Sequence, residues 1–148
     1  MIYSVDVRIE APVRDTEVTD RVADAVENVF PDAEPVHEDG TLVSRTHSLD
    51  AFSDVLHEQE ILDTARREFE RSASGDAFSF SLKKQAAFKG VVNFAVGNPD
   101  ELGDVEVVVT VRDPSVDEFV DYVAPPTDGG VPVDVDVADG DGATGADG

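Results

Sequence analysis

Cysteine is absent from this 148-residue chain, which excludes disulfides, thiolate metal sites and thiol nucleophiles at once. No apolar run approaches the roughly 18–20 residues that a membrane-spanning helix needs, so no membrane partner is expected. The beginning, Met1-Ile2-Tyr3-Ser4-Val5-Asp6, lacks the basic-then-apolar form of a secretory signal and is expected to be a strand of a soluble, cytoplasmic protein. Phosphate-loop and dinucleotide glycine motifs are missing. Lysine is scarce as well, with 3 residues against 8 arginines.

Carboxylates are what the chain has in excess. Its 33 acids outnumber 11 basic residues and give a formal charge of −22. A field of that sign repels phosphate and argues against a generic nucleic-acid or membrane partner. The acids are spread along the whole chain, however, and lysine is nearly gone, a pattern that describes the solvent. In molar salt the Debye length falls to about 3 Å, and like charges no longer destabilise the fold. The expected setting is a halophilic cytoplasm.

A 41% apolar content supports a packed core, and a chain of this length buries roughly 68–70% of its unfolded surface. Composition changes at Pro125. From it onward lie six of the 11 glycines, three of the 8 prolines, six acids and no basic residue. One domain is therefore expected over residues 1–124. Residues 125–148 form a solvated acidic tail, ordered at most to about 133.

Alternating Val5, Val7 and Ile9 mark a first strand, ended by Pro12. Asp15 or Thr16 is expected to cap a helix running to Phe30, with Val18, Val22, Ala25, Val26 and Val29 on its apolar stripe. Glu38-Asp39-Gly40 reads as a turn before a strand over 41–47. Ser48 caps a helical stretch carrying Leu49, Phe52, Val55 and Leu56, continued by Ile61, Leu62, Ala65 and Phe69 after a break near His57. Phe78, Phe80 and Leu82 alternate with Ser79, Ser81 and Lys83 as a half-buried strand. Further strands are expected over 91–96 and 104–112, separated by the breaker Gly97-Asn98-Pro99. Ser115 caps a last helix bearing Val116, Phe119, Val120 and Val123. The order β-α-β-α-β-β-β-α implies an α+β fold, a mostly antiparallel sheet with helices packed on one face.

The scarce positive charge is not spread like the acid. Arg66, Arg67, Arg71, Lys83, Lys84 and Lys89 fall within 24 residues that hold only Glu68, Glu70 and Asp76 as acids. With Gln85 they form a candidate phosphate-contacting patch. The alternative is local pairing with carboxylates, favoured for Arg67 and Arg71 by Asp63 and Glu68 at helical spacing. Of the phenylalanines in this region, Phe69, Phe78, Phe80 and Phe94 read as core; Phe88 alone stays open as a stacking platform. His37, His47 and His57 supply no second ligand pair, so no metal or cofactor is expected. Ser44, His47 and Asp50 come without a nucleophile-elbow pattern, and the run 134–142 lacks the ligand spacing of a calcium loop. No enzymatic activity is expected.

The motif Lys84-Gln85-Ala86-Ala87-x-x-Gly90-Val91-Val92-Asn93-Phe94 carries a family resemblance. Phe78-x-Phe80-x-Leu82 precedes it, Leu102-Gly103-Asp104 follows, and Ala124-Pro125-Pro126-Thr127 closes the pattern. With the stretch from Gln59 to Arg66, these residues resemble the archaeal UPF0201 family over about residues 1–133, and the acidic ending is similar to that of haloarchaeal members. The resemblance implies a fold like that of the large-subunit ribosomal protein that holds the small ribosomal RNA. It also implies RNA binding, double-stranded RNA included, and no catalysis. The expected function is recognition of structured RNA by shape and phosphate contacts. The alternative is a protein-interaction module, such as a homodimer built on the exposed sheet face or on the strand over 105–111.

Overall fold

The computed structural model describes residues 3–97, 102–128 and 131–132. Strand β1 (Ser4–Pro12) buries Val5, Val7, Ile9 and Ala11 on one face, as its period-two pattern requires. Helix α1 (Thr19–Val29) starts later than expected. Val18 occupies the N-cap position with no side-chain cap, so neither Asp15 nor Thr16 caps the helix; they stay in the preceding turn, which the Arg14 N–H closes by donating to Glu17 at 2.9 Å. Strands β2 (Val36–Glu38) and β3 (Thr41–Thr46) form a hairpin. Its two turn residues, Asp39 and Gly40, have φ of 50° and 82°, the left-handed pair that a tight hairpin demands.

Helices α2 (Asp50–Glu58) and α3 (Leu62–Ser72) follow. The break falls at Glu60, whose φ is 59°, rather than at His57. Strand β4 (Ala77–Lys83) runs into the single turn α4 (Lys84–Ala87). Strand β5 (Asp104–Asp113) precedes α5 (Val116–Val123), where the Ser115 hydroxyl accepts the Glu118 N–H at 3.2 Å as a helix cap. A short pair, β6 (Thr127–Asp128) and β7 (Val131–Pro132), follows. The Thr127 hydroxyl bonds the Asp63 carboxylate and ties the chain beyond α5 to the start of α3. Met1, Ile2, the breaker residues Asn98 and Pro99, and the tail from 133, including the run 134–142, lie outside the described residues.

The main sheet has the order β2-β3-β1-β5-β4, antiparallel throughout. The expected α+β architecture is what the chain adopts. Phe78, Phe80 and Leu82 on β4 join alternate valines of β5 and β1 to make the buried face. Phe52, Phe69 and Phe119 from α2, α3 and α5 fill the layer above it. The opposite face carries Asp6, Arg8, Glu10, Arg45, Ser79, Ser81, Glu106, Val108 and Arg112. Residues 105–111 are not available as an interface strand: β5 lies between β1 and β4, with both its backbone edges paired.

The strand expected over 91–96 is reduced to one bridge, Leu82 to Phe94. Lys83 N–H donates to Asn93 O and Ala95 N–H to Ser81 O, each at 2.8 Å. The Gln59 amide completes the attachment by bonding both N–H and C=O of Val92, at 2.8 and 2.9 Å. Further back, the Ser72 hydroxyl accepts Ser79 N–H at 2.9 Å and donates to Ser79 O at 2.7 Å, standing in for a strand partner. The outer edge of β4 is thus closed by the Ser72 hydroxyl and two isolated bridges, Ser74 to Ala77 and Leu82 to Phe94. Ser72→Ala is expected to cost about 1–2 kcal/mol in denaturant unfolding, with Ser72→Thr retaining most of that. An unchanged midpoint in the alanine variant contradicts this role.

Candidate nucleic-acid interface

Lys84 follows the last residue of β4 and turns inward, where only 1% of it is exposed. Its ammonium donates to Pro12 O at 2.6 Å, Leu102 O at 2.6 Å and the Glu17 carboxylate at 2.9 Å. Three donors meet three acceptors, and the Glu17 side chain is itself only 8% exposed. A lysine so enclosed holds the end of β1, the start of α1 and the approach to β5 together. It is not presented to an external ligand, which corrects its place in the expected patch.

The arginines of α3 are mostly engaged too. Arg66 bonds Glu70 at 3.2 Å, Asp121 at 2.7 Å and Ala124 O at 3.1 Å, which fastens α3 to α5. Arg71 pairs with Glu68 at 2.9 Å. Arg67 is exposed and has no ion pair among the described residues; Asp63, its expected partner, takes Thr127 instead. Ser72, next to Arg71, is bonded to Ser79, four residues or about 13 Å of strand before Lys83. The expected patch therefore divides, with Arg71 alongside the middle of β4, Lys83 at its last position, and Lys84 and Lys89 beyond its end.

Lys83 is half-buried on the helix-free face, paired in register with Asp104, while Gln85 and Lys89 are exposed. The register brings further cations to the same end of the sheet. Pro12 and Asp104 each lie two residues on from the Glu10–Glu106 pair, so Arg14 emerges beside Gly103, with Lys83 one strand further over, opposite Asp104. Arg21, in the first turn of α1, stands over Phe88 with its guanidinium carbon 5.8 Å from the ring centroid. The Asn28 amide donates to Ala87 O at 3.0 Å and Phe88 O at 3.2 Å, holding the end of α4 on α1. Phe88 is half-buried and packs against the core beneath Arg21. Arg14, Arg21, Lys83 and Lys89 have no ion pair among the described residues.

Sequence reading missed Arg14 and Arg21, which lie more than 60 residues from the lysines; strand order brings Arg14 to their end of the sheet, and the packing of α1 on α4 brings Arg21. The same end carries Asp15 and Asp39, both exposed, and Asp104, 6% exposed, whose Oδ1 has no partner among the described residues. It is a mixed surface of donors and acids, not a positive plateau.

Elsewhere the histidines serve local structure. His57 Nδ1 lies 2.8 Å from Ser53 O, and His47 Nδ1 faces Val5 O at 3.1 Å and Asp6 at 3.2 Å rather than Ser44 or Asp50. Among the described residues no group of three or more His, Asp or Glu is placed to hold a metal ion, and no helix is long and apolar enough to cross a membrane.

Sequence comparison defines the class to which this helix-backed antiparallel sheet belongs. A family model described as RNA binding matches residues 6–112, and the chain belongs to that family. Within it, the chain is a member of UPF0201, as its relatives show. It is 35% identical over 136 residues to the UPF0201 protein of Thermococcus kodakarensis, covering 87% of this chain and 96% of that one. It is 37% identical over 131 residues to a UPF0200/UPF0201 protein of Archaeoglobus fulgidus, covering 88% of this chain but only 40% of that longer protein. The crystal structure of the UPF0201 protein from Methanococcus jannaschii superposes with a TM-score of 0.81 at 32% identity, covering 87% of this chain and 99% of that one.

Proposed function

We propose that this chain is a non-enzymatic, cytoplasmic protein of a haloarchaeon that binds structured RNA, double-stranded RNA included. In this reading Lys83, Gln85, Lys89, Arg14 and Arg21 face the RNA, while Lys84 and Arg66 shape the scaffold. The observation that carries it is that Arg14, Arg21, Lys83 and Lys89, none of them in an ion pair among the described residues, lie on the segments that Lys84 draws together at one sheet end, in a chain of net charge −22. Membership of an RNA-binding family supports the same reading.

Salt constrains how such a surface works. Three phosphate contacts, from Arg14, Lys83 and Lys89, give a slope of roughly −2.7 in log affinity against log salt, so moving from ~0.1 to ~2 M lowers affinity by about 10³–10⁴. Affinity in a saline cytoplasm then rests on shape fit, Gln85 and backbone donors. Fluorescence anisotropy on an RNA hairpin, from dilute to molar potassium chloride, tests the assignment. The Arg14→Ala/Lys83→Ala/Lys89→Ala variant is expected to flatten the slope by about 2.7. An unchanged slope in that variant removes these residues from the interface.

The helix-free sheet face favours a second reading. Val108 and Val36 are 44% and 56% exposed there, among Arg8, Arg45 and Arg112 and the acids Asp6, Glu10 and Glu106. A face mixing both charges around apolar side chains is self-complementary and suits a homodimer. Sedimentation equilibrium in molar salt decides, and a strict monomer at micromolar concentration excludes it.

A further inference from the structure

Between α1 and the end of α4 lies an open depression of about 320 Å³, lined by Arg21, Asp24, Glu27, Asn28 and Phe88. We propose that it receives one unpaired guanine of a bound RNA, an inference that rests on the RNA-binding reading above. Its first element is a stacking surface. The Arg21 guanidinium is held over the Phe88 ring, and a planar cation on an aromatic leaves its outer face for a nucleobase. Arg21, Asp24 and Asn28 share one side of α1 at spacings of three and four residues.

The second element is the chemistry of the wall. Asp24 and Glu27 are exposed and have no ion pair among the described residues. As carboxylates they only accept hydrogen bonds. Asn28 spends its NH₂ on Ala87 O and Phe88 O, which turns its remaining capacity, the amide oxygen, into an acceptor as well. Apart from Arg21, the depression therefore offers acceptors and asks for donors. Guanine alone among the four bases presents two adjacent donors, N1–H and the N2 amino group, on its pairing edge, matching a carboxylate fork. Adenine and cytosine offer one amino group beside an acceptor nitrogen, and uracil one N–H between two carbonyls. That edge is free only where the base is unpaired, the form in which single bases of RNA are read. The carboxylates also keep phosphate out of the depression, so the backbone passes outside it, where Lys89 follows Phe88 in the chain and is exposed.

The test titrates the full chain, ¹⁵N-labelled, with GMP, IMP or AMP at sub-millimolar concentration in molar sodium chloride. GMP is expected to shift the backbone amides of Arg21, Asp24, Asn28 and Phe88, and to bind about tenfold more tightly than IMP, which lacks the N2 amino group, or AMP. Asp24→Asn and Glu27→Gln, exposed and nearly isosteric, are expected to abolish that preference while leaving the rest of the spectrum in place. Equal responses to the three nucleotides, or none at these amides, overturn the proposal. A parallel arm compares hairpins carrying one bulged guanine or one bulged adenine. Equal binding of both hairpins overturns the guanine site and leaves RNA binding standing. Binding of GMP with no binding of either hairpin overturns the RNA reading and keeps the depression as a nucleotide site.

Discussion

Lys84→Ala is expected to lower the free energy of unfolding by about 3–5 kcal/mol, the range for breaking a buried ion pair by removing one partner. The variant leaves the Glu17 carboxylate enclosed without its cation, and it strips the donor from two carbonyls, Pro12 O and Leu102 O. The two carbonyls keep their desolvation cost and lose this donor, and the Glu17 carboxylate is left with the Arg14 N–H alone to offset its burial. Salt does not relieve this, because screening acts on charges in contact with solvent, and Lys84 is 1% exposed. Lys83→Ala and Lys89→Ala, at half-buried and exposed positions, are expected to stay within about 0.5 kcal/mol of the parent. Replacing both partners, as Lys84→Met/Glu17→Leu, should recover much of the loss, since a well-packed apolar pair is often no worse than the ion pair it replaces. Denaturant unfolding in molar potassium chloride measures all four variants. A loss below about 1 kcal/mol for Lys84→Ala, the range of exposed pairs, contradicts the enclosure described here.

The same three lysines show where sequence reasoning reaches and where it stops. Their concentration in a chain depleted of lysine was legible, and so was the alternation of β4 that leads up to them. The inward turn of Lys84 was not read from charge, which treats every lysine as a solvent-facing group, the usual case. The period of β4 did carry it: Phe78, Phe80 and Leu82 are buried, Lys83 lies on the other face, and Lys84 falls next on the buried side. Arg14 and Arg21 were invisible for a different reason: strand order, not sequence, places the end of β1 beside β5 and close to the end of β4, and the packing of α1 on α4 brings Arg21.

The elements divide along the same line. Strands β1, β4 and β5 carry a strict two-residue period, α1 and α5 carry helical stripes, and these signals are local. The valine-rich stretch 91–96 has strand composition, yet a ladder needs a partner with free backbone along its length. Ser72 already occupies that edge of β4 at Ser79, so the stretch bridges only its far end. The break before α3 depends on Glu60 in a left-handed conformation, with neighbouring Gln59 clamping Val92. Neither residue type announces that.

Gly103→Ala is expected to cost about 2–4 kcal/mol, combining left-handed backbone strain with overpacking. Gly103 has φ of +84°, and a Cβ there would lie 2.5 Å from Cγ of Pro12 and 3.2 Å from the Arg14 guanidinium. Arginine can swing away, but the proline ring is fixed at the end of β1, so the backbone must move. Gly90 supplies the comparison. Its φ is +72° with open space where a Cβ would stand, so Gly90→Ala carries the strain alone, about 1 kcal/mol. The excess at Gly103 therefore reports the contact between the approach to β5 and the end of β1. That contact is what Lys84 fastens from beneath, through Leu102 O and Pro12 O. Two changes to one junction do not add: once Gly103→Ala has displaced Leu102, Lys84→Ala has less left to break. The double variant is expected to lose at least about 1 kcal/mol less than the sum of the single losses. Strict additivity in a denaturant double-mutant cycle shows instead that the lysine and the glycine hold the sheet end independently.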